Sequence, residues 1–358
     1  MDTRLADGPD LPTRRQALSA LAAAFLWPGS GSCGAPPLRE VRHLFGSPAE
    51  VMVRSDPGET AEATAMARVM AELARLNRDW NAWKPGALCD LNRALRDGRG
   101  WAVAPDLLAL LRLARELEAR SGGLFNAGIG GLVGTWGFHD DVMRPGPRPT
   151  AAQLQPWRDP VPSLAHLRVE RGRVSTTDRR LQLDLGAIGK GWAIDRALDQ
   201  LERLGHRHAV VNLGGNLATR GHAGDRPWLI GIRDPLEGGV VARVATRGRE
   251  AVVTSGSYER FRLLDGRRLS HIIDPRQAAP TEAMLSVTVL HRSAALADAA
   301  ATALMVAGAK RWPDVARRMG VQEVLAIEPD GRGAMTAAMG ARLRFDDSRW
   351  TSRLRVIA

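Results

Sequence analysis

The run LQLDLGAIGKGWAIDRALDQLERLG, residues 181–205, reads as a strand over 181–185, then a glycine-rich turn, then a helix reaching Gly205. Gly186, Gly189 and Gly191 let a backbone come close to a ligand, and a helix N-terminus offers unbonded N–H groups to a phosphate. Lys190 adds a mobile cation in a chain whose other lysines are Lys84 and Lys310. The Walker pattern is not met: it needs four residues between its first glycine and Gly-Lys, then Ser or Thr. Here Ala187 and Ile188 alone intervene, and Gly191 follows. A tight turn without a ligand explains the glycines too; Asp184 and Lys190 on either side of it favour a site.

Outward from this run the chain alternates helices with short strands and shows no parallel βαβ rhythm. A helix is expected over 59–78, with Met66, Val69, Leu73 and Leu76 on one face. A second starts at Pro105, a favourable first helical residue, and stops before Gly122-Gly123. The proline-rich residues 140–163 read as a surface insertion. Hairpins are signalled by Arg171-Gly172 between LRVE and RVST, and by Asp265-Gly266 between RFRLL and RRLSHII. With strand-like runs at 209–213, 228–232, 251–254 and 285–290, the expectation is an α+β protein. Its antiparallel sheets would pack against helices in a single large domain over 41–350, with 351–358 as a short C-terminal tail.

Composition sets the outer limits. With 358 residues, 44% hydrophobic and 25% charged, the chain is neither a disordered polymer, a disulfide-stapled mini-domain nor a collagenous repeat. Fifty Lys+Arg against 39 Asp+Glu give a formal charge of +11, which favours anionic partners. Those basic residues are not interleaved with aromatics in any binding-module pattern, so no nucleic-acid partner is expected. Cys33 and Cys89, with eight scattered histidines, provide no sulfur or imidazole metal set, so a metal here would be held by oxygen. No apolar run past residue 40 approaches the ~20 residues that a membrane helix needs.

Residues 13–33, TRRQALSALAAAFLWPGSGSC, have the form of a twin-arginine export signal: Arg14-Arg15, a weakly apolar stretch from Ala17 to Trp27, then small residues. Residues 1–40 are therefore read as a signal and disordered leader, and the mature protein as periplasmic. Ser30 stands where a lipidated cysteine would want an aliphatic residue, which argues against a lipid anchor at Cys33.

Three further segments carry chemistry. In AALADAAATALMVAGA, 294–309, Asp298 and Thr302 are four apart and share a face of a nearly uncharged helix. A buried acid needs a partner; a hard cation would serve, and so would backbone near the helix end. In SHIIDP, 270–275, His271 has the ordinary reach of a general base, although a lone histidine is also a common structural residue. VNLGGN (211–216) and TSGSYERF (254–261), which holds the one tyrosine, Tyr258, are small-residue turns after strands.

Taken in order, DLGAIGKG (184–191), VNLGGN, TSGSYERF, DGRRLSHIIDP (265–275) and SVTV…ALADAAATAL (286–304) resemble the ApbE family of FAD:protein FMN transferases. The likeness runs over residues 44–310 and takes in LNRDWNAWKPGALCDLNR (76–93) and LFNAGIGGLVGTWGF (124–138). It implies an enzyme that uses Mg²⁺ to cleave the FAD pyrophosphate. FMN would be attached by a phosphoester to a Thr or Ser of a client flavoprotein, with AMP released. It further implies that Ala187, through its carbonyl, with Asp298 and Thr302 are metal ligands. Asp184, Lys190, Phe45, Trp83, Asn126, Ala127, Gly128 and Ile272 would be cofactor contacts, and His271 the base. The chain departs from the family pattern at GLFNAGIGGLV, with Asn126 for an acid and Gly128 for a threonine, and at DPRQAAP, which lacks a glycine after Arg276. Two other outcomes fit the same residues: an FAD pyrophosphatase giving FMN and AMP, and a non-catalytic flavin-binding maturation factor. With an export signal, the expected client is an electron-transfer flavoprotein. Candidates are a nitrous-oxide-reduction protein, an Rnf-type subunit or a subunit of sodium-pumping NADH:quinone oxidoreductase.

Overall fold

Nine strands lie side by side in the order in which the chain makes them. The structure is a computed structural model that describes residues 36–54, 61–140 and 142–357. The strands are β1 (Leu38–Leu44), β2 (Ser47–Arg54), β3 (His208–Leu213), β4 (Asn216–Arg220) and β5 (Glu250–Gly256). They continue with β6 (Ser286–His291), β7 (Glu323–Ile327), β8 (Gly333–Thr336) and β9 (Leu354–Ile357). Neighbours are antiparallel throughout except β8 and β9, which run parallel.

Both faces of this sheet are covered, and the strands alternate accordingly. Val51, Val211, Ala218, Val253, Val289 and Val324 join the larger core. There the sheet meets helices α1 (Glu62–Asp79), α2 (Ala87–Arg96), α3 (Pro105–Ser121), α4 (Gly189–Arg203) and α5 (Ala294–Met319). Met52, Val210, Leu217, Val252, Leu290 and Leu325 point the other way, onto Ile230, Ile232, Val241 and Val244 of a three-stranded sheet. A third cluster joins Ile129, Leu132, Trp136 and Phe138 to Leu264, Leu269, Ile273 and Ala278. It ties residues 129–138 to the hairpin of 261–264 with 267–270 and to the segment that follows.

The α+β reading with antiparallel sheets against helices is what the chain adopts. Pro105 opens α3, and Gly122, at φ +68°, closes it. Both signalled hairpins form, at 167–176 and at 261–270. In α5, Gly308 at φ +72° breaks the helix near its expected end at 309, and a second segment runs on to Met319.

Two expectations need correction. Residues 181–185 are not a sheet strand: they make one parallel bridge, between Ile129 and Gln182. The N–H of Leu183 donates to Asn92 Oδ1 at 2.8 Å, and its carbonyl accepts from Asn92 Nδ2 at 2.9 Å. Leu181, Leu183 and Leu185 alternate like a strand because all three are buried on one side, while α2 supplies the backbone's partner as a side-chain amide. Residues 351–358 are no tail either, since Leu354–Ile357 form β9 at the sheet edge. At the other end β1 already begins at Leu38, so its first three residues lie inside the stretch read as leader. The export motif at Arg14-Arg15 and Cys33 lie outside the described residues.

Candidate active site

Helices α4 and α5 meet at their N-termini, and the meeting point is Gly191. A Cβ there would stand 2.2 Å from the Ala294 carbonyl oxygen, so only glycine allows the approach. At that distance the Gly191 N–H donates to Asp298 Oδ2 at 3.0 Å, while Asn216 Nδ2 donates to Oδ1 at 2.9 Å. Asp298 is 3% exposed. Burial pushes its carboxyl up from the ordinary carboxylate range, against the pull of the Lys190 charge and these two donors. Both donors are neutral, so the carboxyl group is held in place with no ion pair among its hydrogen bonds. One turn on, Thr302 is the one residue from 297 to 308 that is not buried, and its Oγ1 lies 3.5 Å from Ser255 Oγ. The Asp298 carboxyl and the Thr302 hydroxyl, one turn apart on α5, offer oxygen alone, the donor chemistry that suits a hard divalent cation. Ala187, partly exposed, lies just before α4.

Lys190 links this end to two further groups by charge. Its charge acts on Asp298, on His271 and on Glu259, whose carboxyl burial raises. His271 follows the 267–270 strand, and its Nδ1 is 2.9 Å from the Arg260 carbonyl oxygen. A carbonyl only accepts, so Nδ1 carries the hydrogen and Nε2 keeps its lone pair. Burial, helped by the charges of Arg260 and Lys190, pushes the imidazole down to about 4, so it is neutral near pH 7.

The other sequence-derived residues sit mostly on loops. Asn126 Nδ2 donates to the Pro162 carbonyl at 2.8 Å, and its Oδ1 accepts from the Gly128 N–H at 2.7 Å. Ala127 is buried, and its carbonyl accepts from the Asp184 N–H at 2.9 Å. Asp184 Oδ1 takes the Gly186 N–H at 2.8 Å. Burial raises its carboxyl, while Gly186, the Arg260 charge and a hydrogen bond from Trp83 work against the rise. The Trp83 ring is tilted against His139, 5.4 Å between centroids, and lies close over Gly134. Phe45, at φ +54° in the β1–β2 turn, is fixed by its N–H to Asn77 Oδ1 at 2.8 Å. Ile272 is buried in the larger core.

The model of the ApbE family matches residues 45–326. The chain belongs to the ApbE family. An FAD:protein FMN transferase of Rhodobacter capsulatus is 41% identical over 341 residues, 94% of this chain and 65% of that protein, so the chain spans less than two thirds of that relative. One from Klebsiella pneumoniae is 34% identical over 78% of this chain and 81% of its own length. Among solved structures, the flavin transferase ApbE from Vibrio cholerae superposes with a TM-score of 0.75 at 28% identity, covering 86% of this chain and 100% of that one.

Within this ApbE chain the sequence-derived residues divide. Asp298 and His271 both feel the Lys190 charge, Thr302 lies one turn from Asp298 and against Ser255, and Asp184 shares the Arg260 charge with His271. Asn126 spends both ends of its amide on the protein itself. Phe45 is positioned by Asn77 on α1, and no bond joins it to the other site residues among the described residues. Sequence reasoning overlooked Asn216 and Asn92. Asn216 stands in VNLGGN, where it reads as a turn residue, and its partner lies 82 residues away.

Proposed function

We propose that this chain is an Mg²⁺-dependent FAD:protein FMN transferase. The observation that carries the reading is a buried Asp298 carboxylate, bonded by neutral donors alone, within reach of the Lys190 charge that also acts on His271. Asp298, Thr302 and the Ala187 carbonyl would hold the metal. When bound, Mg²⁺ neutralises pyrophosphate oxygens and the departing phosphate. The residues of the chain do the rest. Lys190 and the N–H groups opening α4 hold the phosphates. Nε2 of His271 takes the proton of the client's Thr or Ser hydroxyl as its oxygen attacks the FMN-side phosphorus. The P–O bond to the AMP half breaks, a phosphoester forms, and AMP leaves with the bridging oxygen. Positioning and electrostatics supply most of the acceleration in phosphoryl transfer.

The client in this reading is an electron-transfer flavoprotein of the periplasm, reached through the twin-arginine signal at Arg14-Arg15. Incubation of the purified chain with FAD, Mg²⁺ and a threonine-bearing acceptor domain tests the activity. In-gel flavin fluorescence on the acceptor together with free AMP is the expected result. AMP and FMN without labelling would make the chain a pyrophosphatase towards that acceptor, and no AMP would reduce it to a flavin-binding factor.

A further inference from the structure

Asp195 sits one turn beyond Gly191 on α4, and its carboxylate leaves its own helix to reach α5. Oδ2 accepts from the Ser293 hydroxyl at 2.9 Å and from the Ala295 N–H at 3.0 Å; Oδ1 accepts from the Ala294 N–H at 3.0 Å. Ser293 in turn caps α5, accepting from the Leu296 N–H at 3.3 Å. The orphan donors opening α5 are thus satisfied by an acid from the neighbouring helix, in the place where the helix dipole favours negative charge. Arg249 steadies the acid, 3.5 Å from Asp195 Oδ1, and also pairs with Asp199 one turn on.

The two helices therefore trade groups in both directions. The first turn of α4 gives the Gly191 N–H to Asp298 on α5, and its second turn gives the Asp195 carboxylate to the first N–H groups of α5. Asp298 is one turn after Ala294, the residue whose carbonyl meets Gly191. A shift of α5 along or around its axis would move Asp298 and Thr302 together, away from Gly191 and the Lys190 charge.

We propose that Asp195 is a positioning residue for the divalent cation: it fixes the α5 terminus so that Asp298 and Thr302 are presented at one spacing from α4. This rests on the reading of Asp298 and Thr302 as metal ligands given under the proposed function. Asp195 touches neither phosphate nor cation. Its loss weakens metal affinity and leaves turnover at saturating metal nearly intact. A partner that orients a metal ligand typically contributes about 10–100-fold in affinity.

Mn²⁺ binding to the purified chain, followed by the electron paramagnetic resonance of the free ion, gives a readout independent of turnover. Asp195→Ala is expected to weaken Mn²⁺ binding by about 10-fold or more and to raise the half-saturating Mg²⁺ for flavin transfer in parallel. Asp195→Asn keeps the side-chain shape and one acceptor oxygen, so it folds where the alanine variant does not, and it is expected to show a smaller loss in the same direction. Asp199→Asn, which shares Arg249 but makes no bond to α5, should bind Mn²⁺ as the unchanged chain does. Unaltered Mn²⁺ affinity in both Asp195 variants, with only a lower melting temperature, would overturn the proposal. If Asp298→Ala binds Mn²⁺ normally, the cation is elsewhere and the premise falls with it. Absent flavin transfer by the unchanged chain, alongside weakened Mn²⁺ binding in the Asp195 variants, would overturn the transferase reading alone.

Discussion

Around Gly191 the chain leaves no room: a Cβ would stand 2.2 Å from the Ala294 carbonyl oxygen and 2.7 Å from the Ala295 Cα, and neither atom can yield without moving a helix. Around Gly128 and Gly134 the nearest obstacles are side chains at 3.1 Å, from Asn126 and from the Trp83 ring. In the proposed reading the phosphate end is the one framed by two helices in backbone contact. The flavin end of that reading is framed by turns that lean on one another through side-chain amides and carbonyls. A pyrophosphate and a cation demand fixed charge at fixed distances, which the first construction provides. A broad aromatic ring tolerates adjustment, and two of this chain's departures from the family pattern, Asn126 and Gly128, fall in the second.

The comparison can be broken most severely at His271, which serves the phosphate end from the hairpin. His271→Asn keeps a donor towards the Arg260 carbonyl but removes the base, and kcat should fall by about 10²–10⁴-fold. The free enzyme's histidine, pushed down to about 4 from 6.5, puts the acid limb of kcat/KM near the lower value. For stability the sign is the same. Between those two values the unfolded chain binds the extra proton, so this group's contribution is whole above about 6.5 and is lost as pH falls through about 4. Urea unfolding across pH 4–7 should show that slope flatten in the asparagine variant.

Gly191→Ala asks whether the phosphate end has slack. Overpacking against backbone should lower unfolding free energy by about 1–3 kcal/mol and weaken Mg²⁺ use, because the Gly191 N–H is drawn from Asp298. A variant with unaltered stability would mean that the helices can separate freely. Asn126→Asp probes the flavin end and should do least. An aspartate cannot donate to the Pro162 carbonyl, so stability should drop by about 1 kcal/mol and the KM for FAD rise a few-fold with kcat nearly constant. A large kcat effect there would erase the distinction between the two ends.

Sequence alone discloses the parts whose determinants are local. Pro105 and Gly122 bound α3, Asp265-Gly266 turns a hairpin, and the spacing of Asp298 and Thr302 places them on one face of α5. It misleads where the partner is distant. The alternation of Leu181, Leu183 and Leu185 marks burial, which a strand and a side-chain-clamped segment share. β9 is too short to announce itself and is specified by β8 beside it. Asp195 reads as one more charge on an amphipathic helix until Ser293, 98 residues later, is brought against it.

In the proposed reading the Asp298 end activates the FAD pyrophosphate for transfer to a protein hydroxyl. The most direct measurement is the ratio of AMP released to FMN attached, in the unchanged chain and in Asp298→Ala. One AMP per FMN attached, with both products lost in the variant, is the predicted result. Undiminished transfer by the variant, or AMP in large excess over attached FMN, would contradict it.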